Sequence, residues 1–338
     1  MSKRNNNGFV PSQLLLDIAS LNPGDLSAIE TIAATQRLVL AAANRTVRYK
    51  AAKGQAERQI YTAANQSRLP GTKARFEGDK AATDNIVNNA FDYHGLMRDF
   101  MKVVLKRDSI DGAGMNLIGT VHYGKAYNNA FWNGQQMTYG DGDQVIFALF
   151  VLLDVNGHEM FHGVTENTSG LEYSGESGAL NESMSDVFGV CLRQWARKLD
   201  VTQDSWLVGP GIFTSKVNGK ALRSMTAPGT AYNDPKLGKD PQPDHYSKLY
   251  TGSSDNGGVH INSGIPNKAF ADFAIACGGN SWDAALLVWF ESNSGTNRIG
   301  SNADFAAFAA KTVENCTTMF PQHVPALKSA WNGVGVTV

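Results

Sequence analysis

His158, Glu159 and His162 spell H-E-x-x-H, and Glu182 and Asp186 follow in the run Gly178-Ala179-Leu180-Asn181-Glu182-Ser183-Met184-Ser185-Asp186. On a helix, side chains four apart share one face, so His158 and His162 offer two imidazoles to a single cation. Glu159 points in a different direction, which makes it a poor ligand but places it within reach of a water at that cation, where it acts as a general base. Glu182 is the candidate third ligand. Two histidines and one carboxylate leave the fourth corner of a tetrahedral zinc open, as a catalytic zinc requires, whereas closed structural sites use four protein ligands and favour cysteine. The pentapeptide alone also arises by chance on helices. The Glu-x-x-x-Asp downstream makes the metal reading the stronger one.

The elements that must position these residues follow from periodicity and turn signals. Asp154–Glu166 and Gly178–Leu199 read as helices, and Gly157 is a flaw inside the first, costing about 1 kcal/mol relative to alanine and marking a close backbone approach. Further helices are expected at Ile265–Cys277, Trp282–Phe290, Asp304–Cys316 and Ala326–Trp331. Residues 56 to about 143 carry short β-like runs with one helix near Ala81–Leu105. Ahead of them, Pro11 suits a first helical turn, Leu14, Leu15, Ile18 and Leu21 form one apolar stripe, and Asn22-Pro23-Gly24 ends it. Asp25 or Ser27 caps a second helix, with Glu30 completing a box on Ser27. The basic, polar stretch from Asn44 to Gly54 reads as a linker open to cleavage.

From about Gly119 onward the chain resembles the thermolysin family of zinc endopeptidases. The runs that carry this are Val121-His122-Tyr123-Gly124, Asn128-Asn129-Ala130-Phe131-Trp132-Asn133-Gly134, Met137-Thr138-Tyr139-Gly140-Asp141-Gly142, Gly170-Leu171-Glu172-Tyr173, Glu176 to Glu182, Leu222-Arg223-Ser224-Met225, Asp244-His245-Tyr246-Ser247 and Asp255 to Gly264. Residues 51–118 match more loosely, chiefly at Leu69-Pro70-Gly71. The segment Phe9-Val10-Pro11-Ser12-Gln13-Leu14-Leu15 resembles the short propeptide of the protealysin-like branch.

The resemblance implies an α+β, two-lobed fold: a helical inhibitory propeptide (1–50), a strand-rich lobe (51–152) and a mainly helical lobe (153–338), with the zinc helix at the junction. It implies one catalytic Zn2+ on His158, His162 and Glu182, with Glu159 as base. Tyr173 and His260 stabilise the oxyanion, and Asp255 orients His260. Asp186 and Asn181 accept hydrogen bonds from the two zinc-binding histidines. Asn129 and the Ala130 carbonyl hold the substrate main chain as an added strand, and Arg223 grips the carbonyl just past the scissile bond. Leu149, Val155 and Leu222 line an apolar pocket, which predicts cleavage on the amino side of bulky hydrophobic residues. In the precursor, Pro11, Leu14 and Leu15 form the inhibitory motif, with Pro11 to Leu14 in the cleft and a leucine filling the pocket, until a cut near Lys50-Ala51 frees the enzyme.

One departure stands out. The family often carries a paired calcium site built from several carboxylates. Asp154 matches one ligand, but Arg193 stands where another carboxylate is expected, and Gly209-Pro210-Gly211 follows Trp206 where an acidic pair is expected. A cation there opposes Ca2+, which wants six to eight oxygens. The double site is therefore predicted absent, with Arg193 paired to Asp154, while Asp141, Asp143 and Asp204 leave material for a single weak site.

Composition narrows the partners. Thirty basic and 31 acidic residues nearly balance, with no basic block for nucleic acid and no polybasic tail for a membrane surface. The apolar run Val145–Val155 is broken by Asp154 and is too short to span a bilayer. The N-terminus, Met1-Ser2-Lys3-Arg4-Asn5-Asn6-Asn7, lacks the apolar core of a secretory signal, so the expected location is the cytoplasm or the exterior by a non-classical route. Cys191, Cys277 and Cys316 suggest no disulfide framework. The expected partners are peptide or protein substrates, the chain's own propeptide in cis and a proteinaceous inhibitor, with the enzyme a monomer.

Overall fold

A computed structural model describes residues 8–42 and 56–338. The expected linker from Asn44 to Gly54, and the expected cut near Lys50-Ala51, lie outside the described residues. The chain begins with a helical hairpin, α1 (Ser12–Leu21) and α2 (Ser27–Ala42). Leu14, Leu15 and Ile18 are buried along the α1 stripe, while Leu21 at its end is exposed. The anticipated box between Ser27 and Glu30 is not made. Asp25 Oδ1 instead accepts from the Ser27 N–H, freeing the Ser27 hydroxyl to bond Asp143 at 3.2 Å and Asn128 at 3.0 Å across the interface.

The strand-rich part contains β1 (Arg58–Thr62), β2 (Thr72–Phe76), β3 (Leu117–Val121), β4 (Ala130–Trp132) and β5 (Met137–Tyr139), with the 19-residue helix α3 (Asn85–Val103) between β2 and β3. The sheet order is β2-β1-β3-β5-β4, with β1, β3 and β5 parallel and the two outer strands antiparallel to their neighbours. The edge strand β4 faces the catalytic cleft.

The helical part follows: α4 (Leu153–Glu166), α5 (Gly175–Arg197), α6 (Asp255–Asn262), α7 (Gly264–Cys277), α8 (Ala284–Ser294), α9 (Phe305–Met319) and α10 (Val324–Gly333). Two small ribbons, β6 (Leu207–Val208) with β7 (Arg223–Ser224) and β8 (Asn233–Asp234) with β9 (Gly238–Lys239), lie between α5 and α6. Nearly every residue of α4 is buried, as befits a helix enclosed by sheet and helices. Gly157 earns its place here. A Cβ on it would stand 3.0 Å from Gly189 Cα, and one on Gly189 would stand 2.5 Å from the Asp154 carbonyl oxygen. The two glycines let α4 and α5 pack backbone to backbone, which brings the His158–His162 face against Glu182. On its other side α4 is stitched to the sheet: Tyr139 donates to Asn156 Oδ1 at 2.5 Å, and the Trp132 N–H of β4 donates to Glu159 Oε2 at 2.9 Å.

Candidate metal centre and cleft

His158, Glu159, His162 and Glu182 converge with nearly complete burial. His158 Nδ1 donates to Asp186 Oδ1 at 2.8 Å, and His162 Nδ1 to Asn181 Oδ1 at 2.8 Å. Those bonds assign the ring protons to Nδ1 and leave both Nε2 lone pairs facing each other across 3.0 Å. Glu182 lies 3.4 Å from each of these nitrogens, and its Oε2 has no hydrogen-bond partner. Two neutral rings presenting lone pairs to one another and to a carboxylate repel unless a cation sits among them, so the donor set fits a zinc ion. The ligating atoms of His158, Glu159 and His162 also lie within 4.8 Å of one another. Glu159 is nonetheless the less suitable ligand, because its Oε2 is held by the Trp132 N–H. Its other oxygen, Oε1, is buried without a partner, available for a water or a substrate proton. Burial pushes the Glu159 carboxyl up to about 7, the range suited to a general base.

Across the cleft, Tyr173 OH lies 3.1 Å from His260 Nε2 and donates to Glu182 Oε1. His260 is delivered by an unusual turn. Asp255, Asn256, Gly257 and Gly258 have φ of 54°, 52°, 84° and 84°, four left-handed residues in succession. Side chains disfavour that region, so the two glycines carry half of the turn at no steric cost. The turn folds Asp255 back on His260, accepting from its Nδ1 at 2.6 Å and its backbone N–H at 2.7 Å.

Arg223 is the second donor to Asp186, bonding it from Nε and Nη2 at 2.7 Å each. Its Nη1 lies 3.5 Å from the Phe9 carbonyl oxygen. Phe9 and Val10 run along β4. The Phe9 N–H donates to the Ala130 carbonyl at 2.9 Å, the Val10 N–H to Asn129 Oδ1 at 2.9 Å, and Asn129 Nδ2 returns a bond to the Val10 carbonyl at 3.0 Å. The fully buried Phe9 ring meets His158 edge-on, centroids 5.0 Å apart, and lies beneath the Arg223 guanidinium at 4.9 Å.

The residue seated in the cleft is thus Phe9, not a leucine from Pro11 to Leu14. The helix starts at Ser12, only three residues later, and its Leu14 and Leu15 are both buried, Leu14 in the wall of a cavity it shares with Leu222 and Arg223. Val155 and Leu222 belong to the buried apolar cluster that includes Phe9, whereas Leu149 is half-buried outside it. The sequence reading also passed over Asn267, whose Nδ2 donates to Asp186 Oδ2 at 2.8 Å, and Ser185, whose hydroxyl lies 3.1 Å from His162 Nδ1. Arg193 does pair with Asp154, and it also bonds Asp204 Oδ2 at 2.8 Å.

Family models for the thermolysin metallopeptidase catalytic domain and its alpha-helical domain match residues 20–166 and 169–336. The chain belongs to the thermolysin family. It is 46% identical over 287 residues to an extracellular metalloprotease of Pectobacterium carotovorum subsp. carotovorum, covering 84% of this chain and 82% of that protein. It is 45% identical over 285 residues to protease PrtS of Photorhabdus sp. (strain Az29), covering 83% and 76%. Among solved structures, it superposes on the precursor of protealysin, a metalloproteinase from Serratia proteamaculans, with a TM-score of 0.87 and 43% identity over 98% of this chain and 99% of that one. The protein is a thermolysin-family neutral metalloendopeptidase, zinc-dependent as the family is, and a zymogen with a propeptide. The two-lobed fold with its helical N-terminal hairpin agrees with the sequence expectation.

Proposed function

We propose that the chain cleaves peptide bonds on the amino side of bulky hydrophobic residues and is held inactive by Phe9 until residues 1–50 are removed. His158, His162 and Glu182 hold the metal. Zinc, when bound, supplies the Lewis acid that acidifies a water and polarises the peptide carbonyl. Glu159 Oε1 takes the proton of the attacking water and passes it to the leaving nitrogen. Tyr173 OH and protonated His260 Nε2 donate to the oxygen that gains charge, with Asp255 holding the His260 ring in that orientation. Asp186 and Asn181 fix the zinc-binding rings. Asn129 and the Ala130 carbonyl pair with the substrate main chain, Arg223 takes the next carbonyl, and Val155 and Leu222, with Leu149 at the margin, shape the apolar pocket.

The observation that carries this reading is the register of Phe9 and Val10. They already make the main-chain bonds assigned to substrate, with a bulky apolar side chain against His158. Phe9 therefore occupies the position just past a scissile bond. Gly8 before it adopts φ 74°, which turns the chain away from the extended path a substrate follows and accounts for inhibition rather than cleavage. The catalytic unit is taken as 51–152 plus 153–338, a monomer that works outside the cell, as the name of its Pectobacterium relative supports, and that a proteinaceous inhibitor can also block. The double calcium site is absent in this reading, because Arg193 sits between Asp154 and Asp204. Asp141 and Asp143 are also engaged, by His122 and by the Val145, Ile146 and Phe147 amides.

The test is hydrolysis of casein and of a peptide library by the matured protein. Cleavage before Phe and Leu, abolished by chelator, restored by zinc and missing in Glu159→Ala, is expected. Equal cleavage before acidic residues contradicts the pocket.

A further inference from the structure

A cavity of about 360 Å³ separates α1 from the catalytic part. Pro11, Gln13, Leu14, Asp17, Ser20 and Leu21 form one wall. Leu222, Tyr232, Leu237, Asp240, Gln242 and Ile261 contribute to the other, which is largely the loop carrying the β8–β9 ribbon. That ribbon touches the hairpin directly: Asn22 Nδ2 donates to the Lys236 carbonyl at 3.0 Å, and Tyr232 and Leu237 are buried. Removal of the prodomain uncovers this apolar wall. It begins where Leu222 and Arg223 end the primed side of the cleft, so it continues the substrate path.

We propose that this wall is a docking surface for an amphipathic helix, and that the processed enzyme favours protein substrates cut just ahead of one. The inference rests on Phe9 marking the position after the scissile bond. What covers the wall in the zymogen is a helix that starts three residues past that position and presents Leu14 and Leu21, two turns apart, to the cavity. A substrate with a short extended segment, then aliphatic residues at the same helical spacing, reproduces this geometry. The space left beside α1 shows that α1 fits the wall loosely, as suits a helix that must depart. A helix with bulkier inward side chains fills it better.

The full chain is allowed to mature, and the processed enzyme is given two peptides with one common scissile segment, Ala-Ala-Phe-Val. One continues as a side-chain-stapled helix with the apolar pattern of α1, the other as a sequence of the same composition with that pattern scrambled. The patterned peptide is expected to show kcat/KM at least about tenfold higher, carried by KM, as a second contact surface on one ligand does. Tyr232→Ser with Leu237→Asp is expected to erase the difference and leave the scrambled peptide unaffected. A stapled helix lacking the Ala-Ala-Phe-Val segment should compete with the patterned peptide and not with the scrambled one, which reads the surface without any variant. Equal kcat/KM for the two peptides, or no competition by the helix, overturns the docking surface and leaves the peptidase reading standing. Cleavage of neither peptide removes that reading and this one together.

Discussion

The ring of Phe9 stands edge-on to the ring of His158 at 88°, centroids 5.0 Å apart. A propeptide side chain thus touches a proposed zinc ligand through apolar contact. Truncating a buried phenylalanine to alanine typically costs about 3–5 kcal/mol. Even the low end, applied to prodomain docking, is more than about 100-fold in the open fraction. Phe9→Ala precursor should therefore hydrolyse a short reporter peptide on the order of 100 times faster than intact wild-type precursor, with the N-terminus verified by mass spectrometry. Leu16→Ala, at an exposed position of α1, should change nothing.

Asp186 joins His158 to Arg223. It is fully buried and takes donors from both, plus Asn267, and the Arg223 charge with the His158 hydrogen bond holds its carboxyl at about 2 despite burial. Asp186→Asn keeps the shape but loses the charge. Zinc affinity, measured by chelator competition, should fall about 10- to 100-fold, and KM should rise because Arg223 loses its anchor. An unchanged zinc affinity would show that the His158 bond to Asp186 does not tune the metal.

Arg193 is the internal cation where the family often places calcium. Arg193→Met leaves Asp154 and Asp204 buried without it, a change that costs about 3–5 kcal/mol in comparable pairs. Denaturant unfolding should register a loss of that order. The wild-type midpoint should not move when calcium is added at saturating zinc. A calcium-dependent rise in that midpoint would mean that a cation site exists despite Arg193.

His122 bridges two carboxylates, with Nδ1 2.9 Å from Asp141 and Nε2 2.8 Å from Asp84. The Asp141 bond, joined by Asp84, raises its pKa to about 9 against the opposing effect of burial. A raised histidine stabilises the fold fully below its unfolded pKa and loses that contribution as pH climbs through about 9. The Tm gap between wild type and His122→Gln should accordingly be widest near pH 6 and shrink by pH 10. A gap that widens with rising pH would contradict a charged His122.

The convergence of His158, His162 and Glu182, the proposed zinc ligands, was legible because it is local. His158 and His162 share a helical face, and Glu182 lies one helix further on. Helix existence was legible for the same reason, though the ends shifted: α5 starts at Gly175 rather than Gly178, and α8 runs from Ala284 rather than Trp282. Phe9 was not singled out as the residue seated against His158, although its motif was noted, because its partners lie more than a hundred residues away. Nothing in local spacing says which of Phe9, Leu14 and Leu15 reaches His158; that depends on where α1 begins. Asn267 was missed for a similar reason, since a polar residue in α7 gains meaning only when α7 packs beside Asp186. The Arg193–Asp154 pair could be anticipated because a cation replaced an expected acid at a buried position.

The most direct test is a crystal structure of the zinc-loaded precursor, with anomalous maps on both sides of the zinc edge. The account predicts one zinc on His158 Nε2, His162 Nε2 and Glu182, no fourth protein side chain on the metal, and the Phe9 ring beside His158. Zinc bound elsewhere, a permanent fourth side-chain ligand, or a cleft free of Phe9 would contradict it.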